Sequence, residues 1–551
     1  MKGKKPQRLD LTREELRQLL EHARPALSEQ EYQRLEAALD TLVYLMQLLK
    51  NKNTTIGRLR RLLFGASSEQ TAEVLKAIAK AVVGANSSCT DSGGRQTQPP
   101  SAVGTAQEPL AGANAAQRPA QGHGRNGAHD YPGANTVSVA HPQLQAGQVC
   151  PQCRRGKLYP SAPGVLVRVV GQAPLAATVY EIQKLRCNLC LELVSAPVPE
   201  GVGEEKYDAG AASMIALLKY GSGVPFYRLA GLQESLGVPL PAATQWQIAE
   251  KAAARVKPVH EELIRQGAQG EVVHNDDTPM KILEHETPQE GSTPQRSAIV
   301  TSGIVCRCHE HTIALFFTGT RHAGENLAQV LSQRAKELAA PIQMCDALSR
   351  NLPPAFETIL ANCLAHARRK YVEVVANFPE ECRFVLETLA EVYRHDAHCR
   401  QQPLSPSERL LYHQEHSSEP MGRIERWIAE QLDGNRVEPN SGLGQAMRYM
   451  RKHWKELTLF LRKAGAPLDN NITEQSLKRA ILHRKNALFY KTDKGAQVGD
   501  TFMSLIHTCA LAQVNPFDYL TALQNNAAAL AERPAQWLPW NYRERGAGLS
   551  P

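Results

Sequence analysis

Leucine and isoleucine recur every seven residues at Leu35, Leu42, Leu49, Ile56 and Leu63, with Leu39 and Met46 widening the stripe and Asn53 interrupting it. Such a seam predicts a helical N-terminal domain over 1–84, closed either as a short dimerising coiled coil or as a helical hairpin within one chain. Arg60 on the seam and Pro25 at its edge leave both open. From Gly84 to Gly147 the periodicity is lost and Gly, Ala, Ser, Gln and Pro dominate. That composition buries too little apolar surface to fold, so 85–147 is expected to be a disordered linker. Between 205 and 266, ASMIALLKYG and ATQWQIAEKAAARVKPVHEELI regain helical spacing, with Gly237-Val238-Pro239 as a sharp turn. Three or four helices are expected there, in a helix-turn-helix or in plain helical packing.

Near Gly270 the pattern changes from helical to alternating. VVHNDDTPMKIL, RSAIVTSGIVCRC and HTIALFFTGT read as strands, the latter two as antiparallel partners, followed by a helix from Glu325 to Leu338 and a strand in PIQMCD. Residues 270–365 are thus the first part of a β-β-β-α-β core whose first and fourth strands lie side by side. The 127 residues between Asp346 and Glu474 exceed what one connection needs. Apolar periodicity from Tyr371 to Leu461, broken at QQPLSPSE and GNRVEPNSGLG, predicts a helical insertion over 366–465. After GAPLDNN, Ile472, Leu477, Ile481 and Leu482 open a long helix in the second core segment, 466–522, which leaves 523–551 as a tail.

Three acidic residues fall where rigid elements would present them: Asp276 within a strand, Asp346 at a strand end, and Glu474 at a helix start. Carboxylates so placed hold two hard divalent cations, which activate an attacking water or 3′-hydroxyl and stabilise both oxygens of an in-line displacement. Magnesium suits such a site, with manganese in its place as the alternative. The competing reading of Glu474 is a capping box with Asn471, serving only its own helix.

Composition adds compartment and partner. The chain has 551 residues, 42% of them hydrophobic, which supports several folded domains. A net charge of +8 favours a polyanionic partner, and the charge gathers at Lys478, Arg479, Arg484, Lys485, Lys491 and Lys494, beside Glu474. Twelve cysteines, no secretory leader and no long apolar span imply a reducing, cytoplasmic setting without membrane contact. Cys150, Cys153, Cys187 and Cys190 form two C-x2-C pairs with 33 residues between them, suited to one structural zinc ion in a ribbon over 148–200. VLVRVVGQ and ATVYEIQKLRC between the pairs read as its strands. Unrelated pairs or a redox dithiol are the alternatives.

The order of RRLLFGASSEQ, CPQC with CNLC, GVPFYRLAGLQESLGV, NDDTPMKIL, MCDALSRN, NCLAHARRKY and DNNITEQSLKRAILHRKNALFYKTDKGA resembles the insertion sequence 66 family of bacterial transposases over roughly residues 35 to 520. The resemblance implies a multidomain α+β protein with an RNase H-like catalytic core interrupted by a helical insertion. It implies DDE chemistry with Asp276, Asp346 and Glu474 as the triad, and sets His366, Arg368, Arg369 and Lys370 near the active site. The family usually has Asp-Glu-Thr where this chain has Asp276-Asp277-Thr278. Successive strand side chains face opposite ways, so one of the two acids meets the metals, and Asp276 is the choice over Asp277. The implied reaction nicks element ends and transfers the freed 3′-OH into target double-stranded DNA, in a homo-oligomer, with or without accessory proteins. The alternatives are a nuclease or resolvase that does not join strands, and an inactive zinc and coiled-coil DNA-binding regulator.

Overall fold

A computed structural model of the chain describes residues 24, 32, 138, 143–149, 151–159, 172–186, 193–203, 205–286, 298–402 and 404–546. The heptad stripe, most of the linker, the VLVRVV segment, Cys150, Cys187 and Cys190 lie outside them. The chain divides into two compact units, Asp91–Ala176 and the remainder. In the smaller unit Val149 and Lys157 form an antiparallel bridge. In the larger one a hairpin of β1 (Lys184–Arg186) and β2 (Leu193–Ser195) comes first. The strand expected from Ala177 is shorter than its sequence suggests. Val179 and Tyr180 are exposed, so its alternation has no core to face.

Helices α1 (Ala209–Ala216), α2 (Phe226–Ser235) and α3 (Ala242–Gly267) follow, α1 running into one π turn at Leu217–Gly221. Asp208 caps α1, accepting from the Ala211 amide at 2.7 Å. Gly237 turns the chain between α2 and α3 at a φ of +73°, which glycine tolerates without a Cβ clash.

The central sheet is built from β3 (Val272–Pro279), β4 (Val300–Cys308), β5 (His311–Gly319), β6 (Ile342–Cys345) and β7 (Ile359–Asn362), in the order β5-β4-β3-β6-β7. The first three strands pair antiparallel, while β6 joins β3 and β7 joins β6 in parallel. The first and fourth core strands are therefore neighbours. Strand β7 was not legible in the sequence because ILAN is too short to show a period. Helix α4 (Ala323–Leu331) ends earlier than expected. Past it, Arg334 turns back to donate to the carbonyls of Ala268 and Gly270, each at 2.8 Å.

The insertion comprises α5 (Leu364–Val374), α6 (Pro379–Gln401), α7 (Pro406–His416), α8 (Ser418–Asp433) and α9 (Gly442–Lys452). The two polar breaks in the sequence become helix starts, with Ser405 forming a capping box with Glu408 and Ser441 capping α9. Met344, Ala361, Tyr371, Leu389, Ile424 and Met447 share one core, which fastens the insertion to β6 and β7. The chain returns in α10 (Asn471–Ala487), α11 (Asp493–Leu511) and α12 (Pro516–Asn525).

Helix α11 closes the edge of the sheet. Asp500, Ser504 and Thr508, four residues apart on one face, accept the β5 amides of Thr318, Phe316 and Ala314 at 2.6, 3.0 and 3.1 Å. An exposed strand edge is thereby covered. A second core joins Val256, Leu263, Ile304, Phe316, Phe502 and Leu520, and burying each such large side chain stabilises by about 1.5–3 kcal/mol. The segment expected as a tail also packs here through Leu530, Trp537, Leu538 and Tyr542, and Tyr519 Oη donates to the Trp537 carbonyl at 2.7 Å.

Candidate active site

Parallel pairing of β3 with β6 sets Val272 against Ile342 and His274 against Met344. Carried on by two residues, that register brings Asp346 level with Asp276 on the same face of the sheet. Asp277 faces the other way and is engaged there. Its carboxylate accepts from Ser302 Oγ at 2.7 Å and lies 2.9 Å from His322 Nδ1, with 2% of the side chain exposed.

The loop after β6 is held against the sheet by Asn351. Its side-chain amide donates to Asp346 Oδ1, and its backbone carbonyl accepts from Asn275 Nδ2 at 2.8 Å and Gln343 Nε2 at 2.7 Å. Leu348 N adds a donor to Asp346 Oδ1 at 3.2 Å. The network lets one asparagine fix both the strand and the carboxylate that follows it.

Glu474 lies in the first turn of α10. The helix cap is Asn470, not Asn471, so the Asn471–Glu474 capping box is not formed and the carboxylate is not consumed by its own helix. Buried Asn470 donates through Nδ2 to the Asn275 carbonyl at 3.1 Å, and its Oδ1 lies 3.1 Å from His274 Nδ1. Its backbone amide reaches Cys363 Sγ at 3.2 Å. Close approach of α10 to the sheet depends on Gly303, the β4 partner of Asp276, because a Cβ there would meet Leu477 Cδ2 at 2.9 Å.

These elements bring the three acids together electrostatically. Burial first, then the charges of Asp346, Glu474 and Asp277, together raise the Asp276 carboxyl to about 7, against a 2.8 Å hydrogen bond from the Asp277 amide that lowers it. His366 Nε2 stands 3.8 Å from Glu474 Oε1, and Arg369 Nη2 3.7 Å from Oε2. Burial, first among several causes, holds His366 below the usual imidazole range, although the Glu474 charge opposes it. A cavity of about 280 Å³ opens here, lined by Asp346, His366, Arg369, Lys370, Glu373 and Tyr449.

Not every basic residue expected beside the site faces it. Arg368 turns inward and is buried, whereas the neighbouring Arg369 reaches Glu474. Arg484 is engaged at the end of β3, donating to Thr278 Oγ1 at 3.2 Å and to the Pro279 carbonyl. Arg479 is half-buried, whereas Lys478 and Lys485 are exposed. Asn351, Asn470, Cys363 and Gly303 were missed from the sequence, although DALSRN and LDNN placed an asparagine near each later acid. Of the zinc-pair cysteines only Cys153 is described; it is exposed and accepts from the Gly156 amide at 3.5 Å.

The profile described as "Transposase IS66 family" matches residues 205–498, and the chain belongs to that family. It is 26% identical to the uncharacterized protein y4jD of Sinorhizobium fredii, over 61% of this chain and 66% of that one. The uncharacterized proteins y4hP and y4qI of the same organism are each 24% identical, over 72% and 61% of this chain and 73% and 62% of their own lengths. Among the described residues no helix is long and apolar enough to cross a membrane.

Proposed function

We propose that this protein is a DNA transposase of the DDE type, in which an RNase H-like core uses Asp276, Asp346 and Glu474 to cut element ends and join them to target DNA. The observation that carries the reading is that Asp346 and Glu474 stand close enough to Asp276 for their charges to raise its carboxyl, the three being delivered by two adjacent parallel strands and one helix. Like charges crowded in a half-buried site are costly, and a bound cation relieves that cost. The donor set is all oxygen and therefore suits magnesium or manganese. Asp276, Asp346 and Glu474 would hold two such ions, which supply a more acidic water or 3′-hydroxyl and charge neutralisation at the phosphate.

The protein's own groups do the rest. Asn351 and Asn470 orient Asp346 and the Glu474 helix. Arg369 and Lys370, at the cavity, offer positive charge to a phosphodiester backbone, as do exposed Lys478 and Lys485 farther along α10. Asp277, tied to Ser302 and His322, steadies β3 rather than binding an ion.

The test is a strand-joining assay with pre-cleaved element ends, target duplex and Mg²⁺. Asp346→Asn and Glu474→Gln should each abolish joined product while leaving end binding largely intact. Absence of joined product from pre-cleaved ends with the unaltered protein would favour a hydrolytic nuclease. Retained joining in either variant would overturn the triad.

A further inference from the structure

Cys363, His366 and Glu474 each offer one ligand atom, and the three atoms lie within 4.8 Å of one another. Two of these residues have no part in a magnesium site built from oxygen. Cys363 follows β7 directly and caps α5 without a side-chain cap bond; its thiol is aimed instead toward the start of α10. His366, three residues on, emerges from the first turn of α5. Helical geometry brings residues spaced by three to one face, so β7 and α5 present a thiol and an imidazole together.

Glu474 Oε1 and His366 Nδ1 are both buried without a hydrogen-bond partner. Glu474 Oε1 and His366 Nε2 face each other across 3.8 Å, too far for a hydrogen bond. Ligand atoms at about 2.0–2.3 Å from a tetrahedral ion sit roughly 3.3–3.8 Å apart, so small side-chain rotations would close this trio on one cation. Arg369 lies on the Oε2 side and leaves Oε1 facing the imidazole.

We infer that Cys363, His366 and Glu474 form a binding site for one divalent cation of the zinc class, separate in ligand chemistry from the magnesium pair. One sulfur, one nitrogen and one oxygen suit zinc or cobalt, whereas magnesium rejects thiolate. Three protein ligands leave a fourth position open, and His366 and the neighbouring cavity give it room for water or a phosphate oxygen. The site stands on its own geometry. Its consequence rests on the transposase reading: an ion held here withdraws Glu474 from the magnesium pair, so zinc inhibits strand joining at fixed Mg²⁺.

The experiment is Co²⁺ titration of the full chain in magnesium-free buffer, followed by bound-metal stoichiometry and the thiolate-to-cobalt charge-transfer band. The unaltered protein should bind one more equivalent than Cys363→Ser, His366→Gln or Glu474→Gln. Cys150, Cys153, Cys187 and Cys190 are unaltered in all of them, so any metal they take up is common to every protein compared. If Cys363→Ser fails to fold by circular dichroism, the half-buried His366→Gln carries the comparison. Asp346→Asn should keep the extra ion while losing strand joining, which separates this site from the magnesium reading. Equal stoichiometry and spectra across the unaltered protein and the folded variants, or loss of the extra ion in Asp346→Asn, would overturn the inference.

Discussion

The side-chain amide of Asn470 donates to the backbone carbonyl of Asn275 across 3.1 Å, tying the helix that carries Glu474 to the residue before Asp276. The same side chain meets His274 at 3.1 Å. Asn470→Ala leaves two buried polar groups unsatisfied and should destabilise the protein by about 1–3 kcal/mol, read as a lower urea midpoint. Because the lost contact sets the distance between two acids, strand joining should fall further than end binding. Unchanged joining in a destabilised protein would show that α10 is positioned by other contacts.

Asp276 and Asp277 are adjacent in sequence and opposite in role. Asp277→Asn weakens the interactions with Ser302 and His322 at the far face, so it should lower thermal stability and reduce joining only in part. Asp276→Asn should leave the fold intact and abolish joining. The reverse pattern, with an inactive Asp277→Asn and an active Asp276→Asn, would exchange the two assignments.

Without metal, stability should depend on pH through the same residue. Asp276 is raised from 3.8 to about 7, so the folded state holds its proton more tightly than the unfolded chain. That contribution is fully present below about pH 4 and is lost as pH rises through about 7. Buried Asp500, also raised to about 7 chiefly by burial, acts in the same window. In chelator, the denaturation midpoint should therefore fall across this range, and Asp276→Asn should remove part of the slope. Above pH 7 that variant should be the more stable, by up to about 4 kcal/mol. Equal slopes in the two proteins would show that Asp276 ionises freely without metal.

Core strands β3 to β6, the helix starts at Ser405 and Ser441, and the interruption of the core were legible because each leaves a local trace: alternation, a capping residue, a polar break. The three carboxylates stand out as candidates for the same reason, Asp276 within an alternating strand, Asp346 at a strand end and Glu474 at a helix start. Asn470 and Asn351 were not, since their partners lie far along the chain and an asparagine beside an acid has no periodic signature. Arg368 and Arg369 looked equivalent in HARRKY. Adjacent helix positions differ by about 100° in direction, which is enough to bury one and turn the other toward Glu474.

The basic run on α10 separates by exposure. Lys478 and Lys485 are exposed, whereas Arg484 is engaged with Thr278 and Pro279. Replacing either lysine by Ala should weaken DNA binding across sequences and lower the slope of log K against log salt by about 0.9 if it meets one phosphate. Arg484→Ala should instead loosen the end of β3 and lower stability, with little change in that slope. A slope change confined to Arg484→Ala would place the DNA path on the opposite side of the helix.

Gly303 lies opposite Asp276 on β4 and beneath Leu477 of α10. An added Cβ would come within 2.9 Å of Leu477 Cδ2 and 3.0 Å of its Cγ, and the branching carbon cannot swing aside as a side-chain tip does. Gly303→Ala should therefore lift α10 slightly, and Gly303→Val should lift it more, costing about 1–3 kcal/mol by overpacking. Glu474 rides on that helix, so joining should decline in the order Gly, Ala, Val while end binding changes little. Pairing Gly303→Ala with Leu477→Ala removes the obstructing branch and should restore joining above either single variant. Failure of the pair to recover, in a protein that folds normally, would mean that the glycine serves β4 itself and not the approach of Glu474 to Asp276.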